Sequence, residues 1–344
     1  MNKKYTYKIL LLIICGILTF SYYIKKQVTR NVDKRAKLII KIDENHVLTG
    51  LISPIEEILS KKYDVSYSDK NYNVLFEGSG IYTEELKNRD FNKKIPLDPD
   101  VVKIFWTGEA ILPNLDSYDL TIGFNRIEHP RYIRFPLHYS YDFSSRINAD
   151  YDRASDMGAC NPGKKYFACF LVSSNFLEDN YRNHKPFDGC NARVQLFHKL
   201  SLYKRVESGG KLLNNIYHEI ANTNTMEWLS QCKFIIAYEN QSWEGYVTEK
   251  PVQAYFAGAV PIYYGDEGSN KTQGLNKKAV IYAKDFDNDD DLVGYIKKVD
   301  NDDKAYCDIW NQNIISDKKD SYESTVARLQ DKLYEVIDTK LIKK

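Results

Sequence analysis

The stretch FIIAYENQSWEGYVTEKPVQAYFAGAVPIYYG, residues 234–265, decides how the chain is read. It opens on a short apolar run that suits a buried strand, passes through a polar loop, and enters a helical pattern. It ends on a second buried strand, 260–264. The loop and the first helical turn carry Glu239, Asn240, Tyr246, Thr248, Glu249 and Lys250. A helix N-terminus with a lysine beside it suits a phosphate. A neighbouring glutamate can accept hydrogen bonds from ribose hydroxyls, and an asparagine and a tyrosine can hold a base. The same residues also fit a plainer reading, a capped helix start with solvated charges.

Working outward, short apolar runs alternate with helical patterns, which predicts α/β architecture with parallel sheets. Strands are expected over 37–42, 73–76, 101–105, 120–123 and 132–135, and a helix over 54–61. A polar stretch, 142–163, reads as a linker. The second half restarts with a strand over 166–172 and a helix over 192–204. A short helix, 226–232, feeds the strand 233–237. A helix over 248–257 must carry Pro251 in its first turn. A strand at 279–282 and amphipathic helices over 290–299 and 321–337 complete the pattern. This organisation predicts a membrane anchor and stem (1–36), a Rossmann-like domain (37–160) and a second Rossmann-like domain (161–344). In open α/β sheets ligands bind at the carboxyl ends of strands. Glu109, Glu239-Asn240 and Gly265-Asp266 all follow strands.

The 344 residues include 48 Lys and Arg against 47 Asp and Glu, a formal charge of +1. That balance excludes a globally basic nucleic-acid binder, so no nucleic-acid partner is expected. Six cysteines are too few for a small disulfide scaffold. Buried thiols are their default, and an oxidising lumen would allow one or two disulfides. The six histidines show no ligand spacing, and no metal site is expected. The acidic run 285–291 reads as a solvated helix start, and Gly78-Ser79-Gly80 as a turn. Residues 5–24 carry one charge, Lys8, and just reach the length of a single transmembrane helix. Seven flanking cations follow this span and three precede it, which by counting favours a cytoplasmic body.

Three segments together resemble glycosyltransferase family 10, the α-1,3/4-fucosyltransferases. They are Tyr238-Glu239-Asn240, Tyr246-Val247-Thr248-Glu249-Lys250 and Val260-Pro261-Ile262-Tyr263-Tyr264-Gly265. Phe105-Trp106-Thr107-Gly108-Glu109, with Pro113-Asn114 and Arg131-Tyr132-x-Arg134, is similar to the family's acceptor-side motif. Residues 170–175 followed by Arg193 look like the opening of its donor domain. The resemblance implies a GT-B fold of two facing Rossmann-like domains behind the transmembrane helix. It implies an inverting transferase that moves fucose from GDP-β-L-fucose to a glycan hydroxyl, O3 of GlcNAc first. Another surface-polysaccharide acceptor, or a non-catalytic glycan-binding relative, is the alternative. Glu109 would be the general base. Arg193 and Lys250 would bind the pyrophosphate, Glu249 the ribose or fucose hydroxyls, and Glu239, Asn240 and Tyr246 would shape the donor pocket. Asn114, Arg131 and Arg134 would lie on the acceptor side. No cofactor would be required, with Mn²⁺ or Mg²⁺ at most stimulating. The family's Asn after the base glutamate is Ala110 here, and its Asp after Gly-Phe is Asn125, which leaves the acceptor open. The compartment would be the Golgi membrane, type II, in a eukaryotic or viral setting. In a bacterial one it would be the cytoplasmic face of the inner membrane.

Overall fold

The computed structural model describes residues 35–43, 49–79, 90–109, 111–141, 143–173, 181–182, 185–186, 188–265 and 275–342. The transmembrane helix expected within 1–36, and Ala110, lie outside them. Among the described residues no helix is long and apolar enough to cross a membrane.

The first body is a six-stranded parallel sheet. Strand β1 (Lys37–Ile42) leads into helix α1 (Thr49–Lys62), followed by β2 (Asp64–Tyr67), β3 (Val74–Ser79), β4 (Val102–Thr107), β5 (Leu120–Gly123) and β6 (Tyr132–Arg134). Their order is β2-β1-β3-β4-β5-β6. The apolar face of α1, with Ile55, Ile58 and Leu59, is buried against this sheet. That burial explains why the helix tolerates Pro54 in its interior, where the sequence suggested a start. Gly78-Ser79 is not a turn either: it continues β3 and pairs with Trp106-Thr107.

The stretch 142–163 is not a loose linker. It contains the short helix α2 (Arg153–Met157), capped by Asp152. The Arg153 guanidinium is buried and donates to the carbonyls of Trp310 (3.0 Å), Tyr255 and Ala259 (2.7 Å). A polar sequence concealed a buried cation that ties the connection to the second body.

The second body is a five-stranded parallel sheet of order β10-β7-β11-β12-β13. Its elements run β7 (Tyr166–Phe170), a small antiparallel pair β8 (Tyr181–Arg182) and β9 (Lys185–Pro186), α3 (Asp188–Ser201), β10 (Val206–Ser208), α4 (Thr225–Leu229), β11 (Cys232–Tyr238), α5 (Glu249–Phe256), β12 (Val260–Tyr264) and β13 (Ile281–Tyr282). They continue with α6 (Asp289–Asp300), α7 (Asp303–Trp310) and α8 (Tyr322–Ile337). All seven residues of β11 are buried, as a central parallel strand covered on both faces requires. The acidic run sits at the start of α6, whose N-cap is Asn288. Two disulfides, Cys160–Cys307 and Cys169–Cys232, brace this body, and Cys190 is a buried free thiol.

The last helix leaves the unit expected for 161–344. Leu329, Leu333 and Ile337 of α8 join the core of the first sheet, and the Tyr334 hydroxyl donates to Ile58 O at 2.8 Å. Val247, Val252, Tyr255 and Phe256 belong to the same apolar cluster, so one core runs across both bodies.

Near the amino end of β11, Lys233 is buried and its ammonium lies 3.0 Å from Asp300. Burial raises the Asp300 pKa, but Lys204 and Lys233 outweigh it and hold the carboxyl below its ordinary value. Its stabilisation is therefore present above the unfolded value, about 3.9, and lost as pH falls through the lower folded one. Asp300→Ala, which leaves Lys233 buried without its carboxylate, should cost about 3–5 kcal/mol in urea denaturation at pH 7. The difference from wild type should shrink below about pH 3.9.

Candidate active site

The carboxyl end of β11 is where the signature residues converge. Glu239 follows the strand with no side-chain exposure. Its carboxylate accepts the Thr248 backbone N–H at 2.7 Å and the Thr248 hydroxyl at 2.6 Å. The Lys250 ammonium donates to the same group at 3.2 Å, and to the Thr248 hydroxyl at 2.9 Å. A buried carboxylate needs such partners. Burial nevertheless pushes the Glu239 pKa above the ordinary carboxylate value, against the pull of Lys250. Sealed from solvent, Glu239 fixes the start of α5 through Thr248 and Lys250.

Lys250 also lies 3.4 Å from Glu249 Oε1. Burial alone would lower its pKa, but Glu249 and Glu239, with a further contribution from Glu109, hold the ammonium above the ordinary lysine range. That contribution fixes a relation between the two bodies. Glu109, half-buried just after β4, is close enough to Lys250 at the start of α5 to influence its charge. Two further sequence features support this arrangement. Glu109 N–H donates to the Thr107 hydroxyl at 3.0 Å, which fixes the turn after β4. Tyr141, absent from the sequence-based site, lines the same cavity as Glu249, and burial together with the Glu249 charge holds its hydroxyl pKa above the ordinary value.

Arg193 projects from α3 with 2% exposure. Its guanidinium donates to Asn240 Oδ1 at 2.9 Å and to the Cys190 sulfur at 3.3 Å. Arg193 and Asn240 are thus a pair beside Glu239. The first turn of α3 packs directly on this strand end: a Cβ on Gly189 would stand 2.0 Å from Glu239 O. Asp188 accepts Ser242 N–H at 2.8 Å and the Tyr264 hydroxyl at 2.7 Å, fixing the loop after Asn240. The sequence placed this helix start at 192 and missed Asp188 and Gly189. An acid followed by glycine ahead of a helical pattern was the available signal.

Other expected residues lie elsewhere. Tyr246 is buried in an edge-to-face contact with Phe124, ring centroids 4.7 Å apart, and so joins the two bodies. Arg134 does the same. Its Nε donates to Phe124 O at 2.9 Å and its Nη2 reaches Gly245 O at 3.5 Å. Arg131 precedes β6 and pairs with Asp116, at the amino ends of the strands. Asn114 caps the turn Leu115–Ser117 and donates to Asn92 O. In a parallel sheet these two positions face away from the carboxyl edge that carries Glu109. Their polar groups serve loop geometry. His138 is neutral, because burial lowers its pKa to about 3, and its Nδ1 lies 3.4 Å from Val247 O. Among the described residues no group of three or more His, Cys, Asp or Glu side chains could hold a metal ion.

Removing the carboxylate at the centre of this arrangement tests it. Glu239→Ala leaves Thr248 N–H and Lys250 without their acceptor and should cost about 3–5 kcal/mol by chemical denaturation. Glu239→Gln, which keeps one acceptor, should cost less.

Two family models match the chain: "Alpha-(1,3)-fucosyltransferase FucT N-terminal domain" over residues 45–141 and "Glycosyltransferase family 10 (fucosyltransferase) C-term" over residues 162–332. An α-(1,3)-fucosyltransferase of Helicobacter pylori is 29% identical over 243 residues, covering 64% of this chain and 49% of the relative. A mimivirus protein named as a fucosyltransferase is 33% identical over 230 residues, 63% of this chain and 34% of its own length. The chain thus spans half or less of the length of these relatives. A crystal structure of an α1,3-fucosyltransferase superposes with a TM-score of 0.66 at 22% identity, over 89% of this chain and 91% of that one. A related structure solved with GDP-fucose gives 0.63 at 23% identity, over 87% and 91%. These likenesses give the GT-B-like fold of two parallel-sheet bodies, and with the two family models the chain belongs to glycosyltransferase family 10.

Proposed function

We propose that this chain is an inverting α-1,3-fucosyltransferase that takes fucose from GDP-β-L-fucose to a glycan hydroxyl, O3 of GlcNAc first. The observation that carries the proposal is that one carboxylate of the first body, Glu109, stands close enough to the cationic start of α5 to help hold up the Lys250 ammonium, after the larger effects of Glu249 and Glu239. The family membership and the relatives' names support the donor, and the geometry supports a division of labour. Glu249 and Lys250 sit where a ribose and a diphosphate would follow one another. Arg193, held by Asn240, adds a second cation. The acceptor hydroxyl attacks the anomeric carbon opposite the nucleotide. Its oxygen forms the new bond, its proton passes to Glu109, and the bond to the diphosphate breaks. Charge then accumulates on GDP, where Lys250, Arg193 and the N-terminus of α5 can stabilise it without a metal. Glu109→Gln keeps the shape and removes the base. It should bind GDP like wild type in calorimetry while turnover falls about 100-fold or more. Unchanged turnover would remove Glu109 from this role.

The proposal includes a membrane anchor in the first 36 residues and a body exposed to an oxidising lumen. The apolar run supports the anchor. The disulfides support the lumen, against the flanking-charge count, because such bonds persist outside the reducing cytosol. Full-length protein from its native cell, denatured without reductant, should take up an alkylating reagent at Cys15 and Cys190 only. Labelling of Cys160, Cys169, Cys232 or Cys307 would place the body in a reducing compartment.

A further inference from the structure

A cavity of about 270 Å³ opens beside the phosphate-binding side chains, just below the usual range of small-ligand pockets, roughly 300–1,000 Å³. It lies over the carboxyl ends of β7 and β10, with Glu249 and Gln253 of α5 as one wall. It adjoins the switch point of the second sheet, the crevice between β7 and β11, from which the chain leaves in opposite directions. Glu249 belongs both to this wall and to the Lys250 cluster. A nucleotide whose ribose meets Glu249 and whose diphosphate meets Lys250 therefore places its base here.

The lining suits a purine. Leu171 and Ile220 offer apolar faces. Gly209 and Gly210 let the lining pack closely on its neighbours: a Cβ on Gly210 would lie 2.1 Å from Val172 O, and one on Gly209 2.6 Å from Ile220 Cγ1. Beside the amides of Asn222 and Gln253, the formal charge is one-sided. Among the described residues the lining contains no Lys, Arg or His, and its carboxylates are Glu249 and Glu219. Glu219 is exposed, and among the described residues no hydrogen bond or ion pair engages its side chain. Its backbone neighbours are fixed. Ile220 N–H donates to Gly209 O at 2.9 Å, and Asn214 Nδ2 donates to His218 O at 2.8 Å. The carboxylate is thus presented from a braced loop.

An ionised carboxylate only accepts hydrogen bonds. Guanine presents two adjacent donors, N1–H and the 2-amino group. Adenine presents a lone pair at N1, which a carboxylate repels. We propose that Glu219 is the residue that selects guanine, accepting from N1–H and the 2-amino group. This rests on the reading of the site as a GDP-sugar pocket.

Calorimetry on the full chain tests it with three probes: GDP, IDP (which lacks the 2-amino group) and ADP. Wild type should bind GDP roughly 10- to 100-fold more tightly than IDP, as befits a hydrogen bond to a charged group. ADP should bind more weakly still. Glu219→Ala should weaken GDP most and IDP less, so that the two bind alike and below the wild-type IDP level, with no loss for ADP, and Glu219→Gln, which keeps one acceptor, should fall between. A GDP-to-IDP ratio unchanged in Glu219→Ala would overturn the assignment, as would an equal loss for all three nucleotides. Wild type that binds no GDP would overturn the donor reading itself. GDP that binds and supports fucose transfer, with an unaltered ratio in both variants, would remove Glu219 alone.

Discussion

A carboxylate buried at the end of a central strand is the constraint around which this site is arranged. Glu239 has no water to solvate it, so its charge must be met by groups brought to it. Thr248 and Lys250 meet it, and this obliges residues 240–248 to fold back over β11 and begin α5 at one place. The neighbouring elements must stay small to admit it. A Cβ on Gly265 would come within 2.6 Å of Glu239 Cγ, and one on Gly189 within 2.0 Å of Glu239 O. The starts of α3 and α5 and the end of β12 are therefore positioned by one side chain. Function inherits that rigidity, since Lys250 and Arg193 are held before any ligand arrives.

The two bodies are held together by apolar packing more than by charge. Phe256 packs on Phe143, Tyr246 on Phe124, and Val247 and Val252 enter the first sheet's core. Gly245 adopts a φ of +81° at the point of closest approach to Phe124 O, where a side chain would not fit. Arg134 then joins the two loops by their carbonyls. The return of α8 to the first sheet adds a second tie on the opposite side, with Lys340 2.6 Å from Asp119. The cleft between Glu109 and Lys250 is set by these contacts, so residues remote from the chemistry fix its width.

The sequence was most legible where burial and periodicity agreed. Strands β1, β5, β11 and β12 are apolar runs bounded by polar loops, and they stand almost where the runs do. Glu239, Thr248 and Lys250 also came together as their spacing around one strand end and one helix start suggests. Pattern failed where partners are distant. Arg153 in a polar stretch gave no sign that three carbonyls a hundred or more residues away would bury it. The edge strands β2 and β10 are short, so their alternation is brief. The docking of α8 on the first sheet depends on which apolar face was left uncovered, and an amphipathic pattern does not say that. Arg131 and Arg134, three residues apart, have different fates because of β6: one precedes its amino end, the other is its last residue.

Four glutamates near this cleft show how environment assigns roles to one side chain. Glu239 is sealed and cation-bound, and its raised pKa reflects burial rather than proton transfer. Glu249 is partly exposed beside Lys250 and shares a cavity wall with Tyr141, which leaves its oxygens able to meet hydroxyls. Glu109 stands apart on the other body, half-buried, with its backbone fixed by Thr107. Glu219 faces the open cavity from a braced loop. A GDP-sugar threaded past them would meet base reader, ribose holder, phosphate clamp and proton acceptor in that order. Three of these carboxylates surround one ammonium, so an empty site is rich in negative charge. A diphosphate can bind only because Arg193 and the N-terminus of α5 add positive potential on the same side. On the proposed reading those cations must hold an anionic ligand against three nearby carboxylates, a demand that a capped helix start with solvated charges does not make.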